Sequence, residues 1–418
     1  MKAQILYPKV LLLGHSFNDY TGMGITLTNL FQEWPKDRIG IMSDEINIQL
    51  VDSIRPCALY SGITRLVDEI PYNLQKKTVP PPKSFIGHVR RIYYNFGLNE
   101  ILGKSKILTE NIDKAKAFAP DIVFCALGTL NRMKVCEKIM QRLNGSHLVI
   151  YIVDDWINSR VIEKKPLFVW KYLFHRSFKR ILEISSGYLS ICDAMSRSYL
   201  KQFGKQFVPF HNPVDISFWT NLKCDKKYSN DILSLLYVGK INEDTEECLI
   251  DCANCVEKIN EKGKQIFFDV YSPDYFSHPS LFDKYPHCHL FKSVSHNIIP
   301  ALTKSYDALF LTLGFTAETI KYIRLSMPTK LSEYLASEIP IVLYSPPGVA
   351  LTEYISSKNC AFICTKRDPS FLKNTILQLF DKDSVETVSR KALEVARDHD
   401  IKKIRESFRV TMNNFTNS

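Results

Sequence analysis

Short apolar runs alternate along this chain with longer stretches in which apolar residues recur every third and fourth position. Runs of the first kind, bounded by turn residues, read as strands of a parallel sheet; stretches of the second kind read as amphipathic helices. Val10 to Leu13 is the first strand, and Ile25, Leu27, Leu30 and Phe31 mark the helix after it. Asp121 to Ala126, Leu148 to Val153 and Tyr188 to Cys192 predict three more strands. Asp193 is placed to cap a helix from Ala194 to Phe203, and Gly204 to close it. A short strand, Phe207 to Phe210, and a turn through His211-Asn212-Pro213-Val214-Asp215 end this set.

From Asn221 to Asp231 the chain turns polar and reads as a joint. A second alternating set follows. Leu233 to Val238, Ile266 to Tyr271, His289 to Phe291, Ala308 to Thr312 and Cys360 to Cys364 predict strands. Glu246 to Ile259, Ile298 to Ser305, Pro369 to Phe380 and Val385 to Met412 predict helices. Two such sets imply an α/β chain of two doubly wound, Rossmann-like domains facing a central cleft. The expected domains are residues 1–215 and 216–395, with a C-terminal helix over 396–418 placed to pack back on the first. A length of 418 fits two or three domains at ~150 residues each. Lys76 to Lys106 resists the pattern: Pro80-Pro81-Pro82 breaks regular structure, and the stretch reads as an excursion from the sheet.

The stretch from Ser326 to Tyr344 gathers the most chemistry. Pro328 can open a helix whose buried face is Leu331, Tyr334 and Leu335, and Pro340 precedes a buried strand, Ile341 to Leu343. Lys330 and Glu333 stand three apart at the helix start, where anions are already favoured. A ligand with a phosphate and a ribose suits that pair: a cation for phosphate, a carboxylate for sugar hydroxyls. An ordinary i,i+3 surface ion pair accounts for the same two residues. At the other end of the chain, Gly22 and Gly24 follow the first strand and would let a ligand approach the backbone at a helix start. This loop is not the dinucleotide fingerprint, since Gly14 lacks the required following glycines. Asp154-Asp155-Trp156 ends a strand, where ligands bind in parallel sheets.

Charge and cysteine content narrow the setting. The formal net charge is +10. Arg90, Arg91, Lys104, Lys106, Lys164, Lys165, Lys171, Arg176, Lys179 and Arg180 interleave with Tyr93, Tyr94, Phe96, Trp170, Tyr172, Phe174 and Phe178. That mixture suits an anionic membrane surface, or equally a solvated face over core aromatics. No nucleic-acid motif accompanies it, so nucleic acid is not an expected partner. The 11 cysteines follow no framework spacing and suggest reduced thiols in the cytoplasm. Cys248, Cys252 and Cys255 fall at i, i+4 and i+7, the buried stripe of a helix rather than a zinc site, and no metal is expected. No apolar run reaches the ~18 residues needed to span a bilayer, so a soluble or peripheral protein is expected.

Taken together, these segments resemble the two-domain GT-B glycosyltransferases, most closely the family-4 type, over nearly the whole chain except about Ile54 to Phe118. Pro328-Thr329-Lys330 followed by Glu333-Tyr334-Leu335-Ala336 resembles the nucleotide-sugar segment of that family, usually Pro-Leu-Lys then Glu-Tyr-Leu-Ala. The resemblance implies that Glu333 holds the ribose hydroxyls and that Thr329 lines the donor. Tyr237-Val238-Gly239-Lys240 is similar to the strand end whose basic residue binds pyrophosphate. Phe291-Lys292-Ser293-Val294 resembles the base-binding turn, with backbone groups at Val294 meeting the nucleobase. Gly22-Met23-Gly24 resembles the N-terminal glycine loop, and Asn212-Pro213-Val214-Asp215 the turn that ends the first domain. Two features depart from the pattern. Leu325 stands where the family often has a first glutamate, and the common second lysine after the Gly-Lys strand end is absent, with Thr245 and Glu246 in that region.

The resemblance implies a metal-independent hexosyltransferase, leaning towards retention. It would move a sugar from a nucleotide-diphosphate sugar to a glycan or lipid-linked saccharide for a surface polysaccharide. Lys240 and Lys330 would stabilise the leaving diphosphate, with no cofactor beyond the donor substrate. Asp154, Asp155, Asp19 and His15 are candidates for the base that deprotonates the acceptor, and none is singled out. Two alternatives stay open: a sugar-nucleotide epimerase of the same fold, and a non-catalytic nucleotide- or glycan-binding protein.

Overall fold

The apolar runs become parallel strands buried along most of their length. The computed structural model describes residues 7–15, 17–18, 21–43, 59–61, 64–65, 105–106, 109–163, 168–229 and 232–417. Asp19, Lys164, Lys165 and the segment from Lys76 to Lys104, with Arg90, Arg91, Tyr93, Tyr94 and Phe96, lie outside the described residues. The chain divides into two compact units. Unit 1 comprises Met1–Phe210 with Arg405–Ser418, and unit 2 comprises His211–Ile404.

Unit 1 holds strands β1 (Val10–Leu13), β2 (Ile39–Met42), β3 (Leu59–Ser61), β4 (Thr64–Arg65), β5 (Ser105–Lys106), β6 (Ile122–Ala126), β7 (His147–Ile152), β8 (Ser185–Ser190) and β9 (Val208–Pro209). Its helices are α1 (Gly22–Phe31), α2 (Thr109–Phe118), α3 (Leu130–Met140), α4 (Trp156–Glu163), α5 (Phe168–Ile184) and α6 (Asp193–Phe203). Seven strands form one parallel sheet in the order β3-β2-β1-β6-β7-β8-β9, and β4 pairs antiparallel with β5. Asp193 turns out to be the first residue of α6, with Cys192 at the cap position and no side-chain capping bond. Gly204 does close that helix, in the left-handed conformation at φ 67°.

Unit 2 holds β10 (Leu233–Val238), β11 (Ile266–Ser272), β12 (Cys288–Lys292), β13 (Ala308–Thr312), β14 (Ile341–Tyr344) and β15 (Phe362–Cys364). Its helices are α7 (Ile216–Asn221), α8 (Glu243–Asn260), α9 (Ile299–Lys304), α10 (Ala317–Ile323), α11 (Lys330–Ala336), α12 (Ala350–Lys358), α13 (Pro369–Leu377) and α14 (Lys382–Ala396). The sheet is parallel, in the order β12-β11-β10-β13-β14-β15. Cys248, Cys252 and Cys255 lie on the buried face of α8, in one core cluster with Cys288. Burial pushes the Cys248 thiol up to about 11, which leaves it protonated and inert.

Two expectations need correction. The polar stretch Asn221–Asp231 is no free joint, because its lysines are folded onto unit 2. Lys226 Nζ donates to the Tyr306 carbonyl at 2.6 Å and pairs with Asp307 at 3.0 Å. Lys227 Nζ lies 2.5 Å from Asp269, a carboxylate with no exposed surface that also accepts from Tyr306 at 2.5 Å and Tyr228 at 2.9 Å. The charge of Lys227 answers a buried carboxylate rather than solvent. The single helix expected from Val385 to Met412 is two helices, α14 and α15 (Ile401–Phe415), parted by a turn over Arg397–His399. Asp400 leaves the helical region, and its carboxylate caps α15 by accepting from Lys402 N at 3.0 Å. The backbone there is also committed elsewhere: Val214 N donates to the His399 carbonyl and Ile401 N to the Val214 carbonyl, both at 2.9 Å. From Arg405 onward α15 belongs to unit 1, where Phe408 packs edge-on against Phe31 and Phe210.

Candidate active site

The unit 2 sheet reverses its strand order between β10 and β13, the place where an open α/β sheet receives ligands at its carboxyl edge. β10 runs into Gly239 and Lys240. A Cβ on Gly239 would stand 2.5 Å from the Tyr237 hydroxyl, which donates to the Lys240 carbonyl at 2.8 Å. Gly239 N donates to the Tyr271 carbonyl at 2.9 Å. The strand end is therefore held in one course, with Lys240 exposed at its tip.

Lys330 opens α11, and its ammonium donates to the Val238 carbonyl at the same strand end. Burial lowers its pKa to about 8; the neighbouring Lys240 charge pushes the same way, and Glu333 opposes both. Two lysines from two elements thus share one electrostatic environment. Glu333 lies in the same first turn, with 13% of its side chain exposed. Burial raises its carboxyl above the usual range, and His296 and Lys330 pull it back. The His296 Nε2 stands 3.9 Å from Glu333 Oε1. His296 begins a single 3-10 turn, His296–Ile298, two residues past the half-buried Val294. That loop leaves β12 with Ser293 N bonded to the Ser272 carbonyl at 3.0 Å.

Thr329 precedes α11 and makes no side-chain capping bond. Its carbonyl accepts from Asn212 at 3.2 Å, and the Pro328 carbonyl lies 3.1 Å from His211 Nε2. Burial, with the nearby His399, lowers the His211 pKa to about 3, so the ring is neutral and its Nε2–H donates. The segment expected only to turn is also a clamp on the backbone that leads into Lys330. Leu325 is buried at 5% exposure, an apolar side chain where a glutamate is common in the resembling family. The first turn of α8, where the second family lysine is missing, is acidic: Glu243, Asp244 and Glu246. Asp244 accepts from Thr316 at 2.9 Å and also from Thr319.

The unit 1 candidates are arranged differently. Gly22 is exposed at the start of α1, while Gly24 is buried. Thr21 caps the helix by accepting from Gly24 N at 3.0 Å, and Asn18 accepts from Thr21 N at 2.8 Å. A Cβ on Gly24 would fall 2.2 Å from the Asn18 amide, so the space this glycine leaves is taken by a side chain of the protein. Asp154 is half-buried at the end of β7. Asp155 has no exposed surface, and its Oδ1 accepts from Tyr199 at 2.9 Å and Asn158 at 2.7 Å. These bonds tie it to the first turn of α4 and to α6. Burial first, then the Arg132 charge, lowers the pKa of His15 to about 3, which makes its ring a poor proton acceptor at neutral pH. Arg132, a residue that sequence reasoning passed over, lies 3.5 Å from the Leu13 carbonyl at the end of β1. Among the described residues no three His, Cys, Asp or Glu side chains converge to hold a metal.

No family model and no curated protein matches the sequence. Solved structures do match, over nearly the whole chain. HepE of Anabaena, solved with UDP-glucose, superposes with a TM-score of 0.64 at 12% identity, over 98% of this chain and 100% of that one. TarM of S. aureus gives 0.62 at 11% identity, over 98% and 99%. Sucrose-phosphate synthase from Thermosynechococcus elongatus gives 0.62 at 10%, over 96% and 97%. The chain therefore has the fold of the GT-B glycosyltransferases. At these identities the likeness speaks for fold, and the reaction has to be argued from the residues.

Proposed function

We propose that this protein is a glycosyltransferase that moves a sugar, with retention and without a metal, from a nucleotide-diphosphate sugar to a glycan or lipid-linked saccharide. The observation that carries the reading is the convergence of Lys240 and Lys330 at one strand end, with the desolvated Glu333 in the same turn. A buried lysine beside a second, exposed one gains from an added anion. A departing diphosphate would supply that anion. Its charge grows as the glycosidic bond breaks, so preorganised lysines would stabilise the transition state more than the bound donor. Glu333 would accept hydrogen bonds from the ribose hydroxyls, Val294 would offer backbone groups to the base, and Thr329 would line the donor. In unit 1, Gly22 and Gly24 would form the loop facing the phosphates. Asp154, rather than the fully buried Asp155, would serve the acceptor hydroxyl.

The test is nucleoside diphosphate release from a panel of UDP-, GDP- and ADP-sugars, with and without a glycan or lipid-linked acceptor. One donor should be consumed, faster with acceptor. Conversion of the donor to an epimer without acceptor would make the protein an epimerase, and binding without release would make it a binding protein.

A peripheral membrane role at the cytoplasmic face rests on α5. Val169 and Tyr172 are exposed at 54% and 55%, and His175, Arg176, Lys179 and Arg180 are exposed along the same helix. An apolar and aromatic tip beside a basic face suits the headgroup layer of an anionic bilayer. No helix among the described residues is long and apolar enough to cross a membrane. Flotation with phosphatidylserine vesicles should show salt-sensitive binding that Lys179→Glu with Arg180→Glu abolishes.

A further inference from the structure

Glu333 is asked to do two incompatible things. It must stay ionised to accept two hydroxyls, yet its burial favours the neutral acid. The charges that act on it come from two elements: Lys330 on its own helix and His296 on the turn after β12. Lys330 is a divided partner. Its ammonium donates to the Val238 carbonyl, it feels Lys240, and in the donor reading it turns to the diphosphate. His296 has no such second claim in that reading. The Tyr334 phenol beside Glu333 stays protonated and adds no charge.

We propose that His296 is a positioning residue for the donor ribose, pairing with the Glu333 carboxylate while Lys330 serves the phosphates. This rests on the donor reading of the site. At 3.9 Å the pair is beyond hydrogen-bond range, so His296 acts as a charge and not as a donor of fixed direction. Its turn follows Val294 by two residues, so a base docked against that loop would fix the backbone that carries the imidazole. Recognition of base and ribose would then be coupled through one ion pair.

The experiment measures binding of UDP, GDP and ADP, each beside its 2′-deoxy counterpart, to the full chain. For the nucleotide that binds, the wild-type protein should prefer ribose by about tenfold, the scale of one charged hydrogen bond. Glu333→Ala should erase that preference. His296→Gln should reduce it several-fold while affinity for the deoxy form holds, and His296→Lys should restore it. His296 is exposed, so these variants should fold. If His296→Gln keeps the full preference while Glu333→Ala loses it, the positioning role is wrong and the donor reading stands. If the wild-type protein binds no nucleotide, or binds both forms equally, the donor reading fails and this inference goes with it.

Discussion

The carboxyl edges of the two sheets carry similar residue types and treat them differently. At the unit 1 edge the polar groups satisfy one another. Asn18 fills the space left by Gly24, Asp155 is spent on Tyr199 and Asn158, and His15 is held neutral. At the unit 2 edge burial works against the charged groups, and the attraction between Lys330 and Glu333 only partly offsets it. Lys330 is pushed down by burial and by Lys240, and Glu333 is pushed up by burial. A self-satisfied edge stabilises the fold, whereas buried charges at a strand end are what the proposed donor site would use.

The sharpest way to break that contrast is to remove one charge at each edge. Lys330→Ala should lower kcat/KM for transfer by about 10²–10³, the usual loss for one preorganised charge at a developing anion, with little change in stability. An unchanged rate would show that the unit 2 charges serve no substrate. Asp155→Ala should do the reverse. It leaves the buried Tyr199 hydroxyl without its acceptor, so denaturant unfolding should report a loss of about 1–3 kcal/mol. The folded fraction should keep its kcat/KM, and a large loss of rate there would return Asp155 to the chemistry. The smallest effect is a pH dependence. Lys330 carries its charge below about 8 and loses it above, so kcat/KM should fall as pH rises through about 8. A bound diphosphate raises that pKa, so the matching limb in kcat should lie higher. Identical limbs in both parameters would mean that no anion meets Lys330.

Much of the proposed donor side could be read from sequence because its residues are local to one another. Lys330 and Glu333 stand three apart on one helix, and Gly239-Lys240 directly follows a strand of six apolar or small residues. Their protonation states were not legible, since burial and the distance between α11 and β10 set them. His296 was missed although it lies two residues past Val294, because a histidine in a polar loop carries no signal until the fold brings a carboxylate to it. The partners of Asp155 were not legible for the opposite reason. A strand-end carboxylate looks available in sequence, and only packing shows that Tyr199, 44 residues away, has claimed it.

The sequence by itself determined two alternating α/β sets, because hydrophobic periodicity is a local property that tertiary contacts rarely overrule at this strength. It also determined the apolar fate of the α8 cysteines, which repeat at helical spacing. The tertiary structure decided what depends on long-range pairing. Lys227 in a polar stretch became the partner of the buried Asp269, and one long helical pattern was cut at Asp400 by a strand-like bridge to Val214. It also decided which strand-end charges were spent on hydrogen bonds and which were shifted by burial. A charge's energy depends on what surrounds it in space, and sequence neighbours supply only a small part of that surrounding.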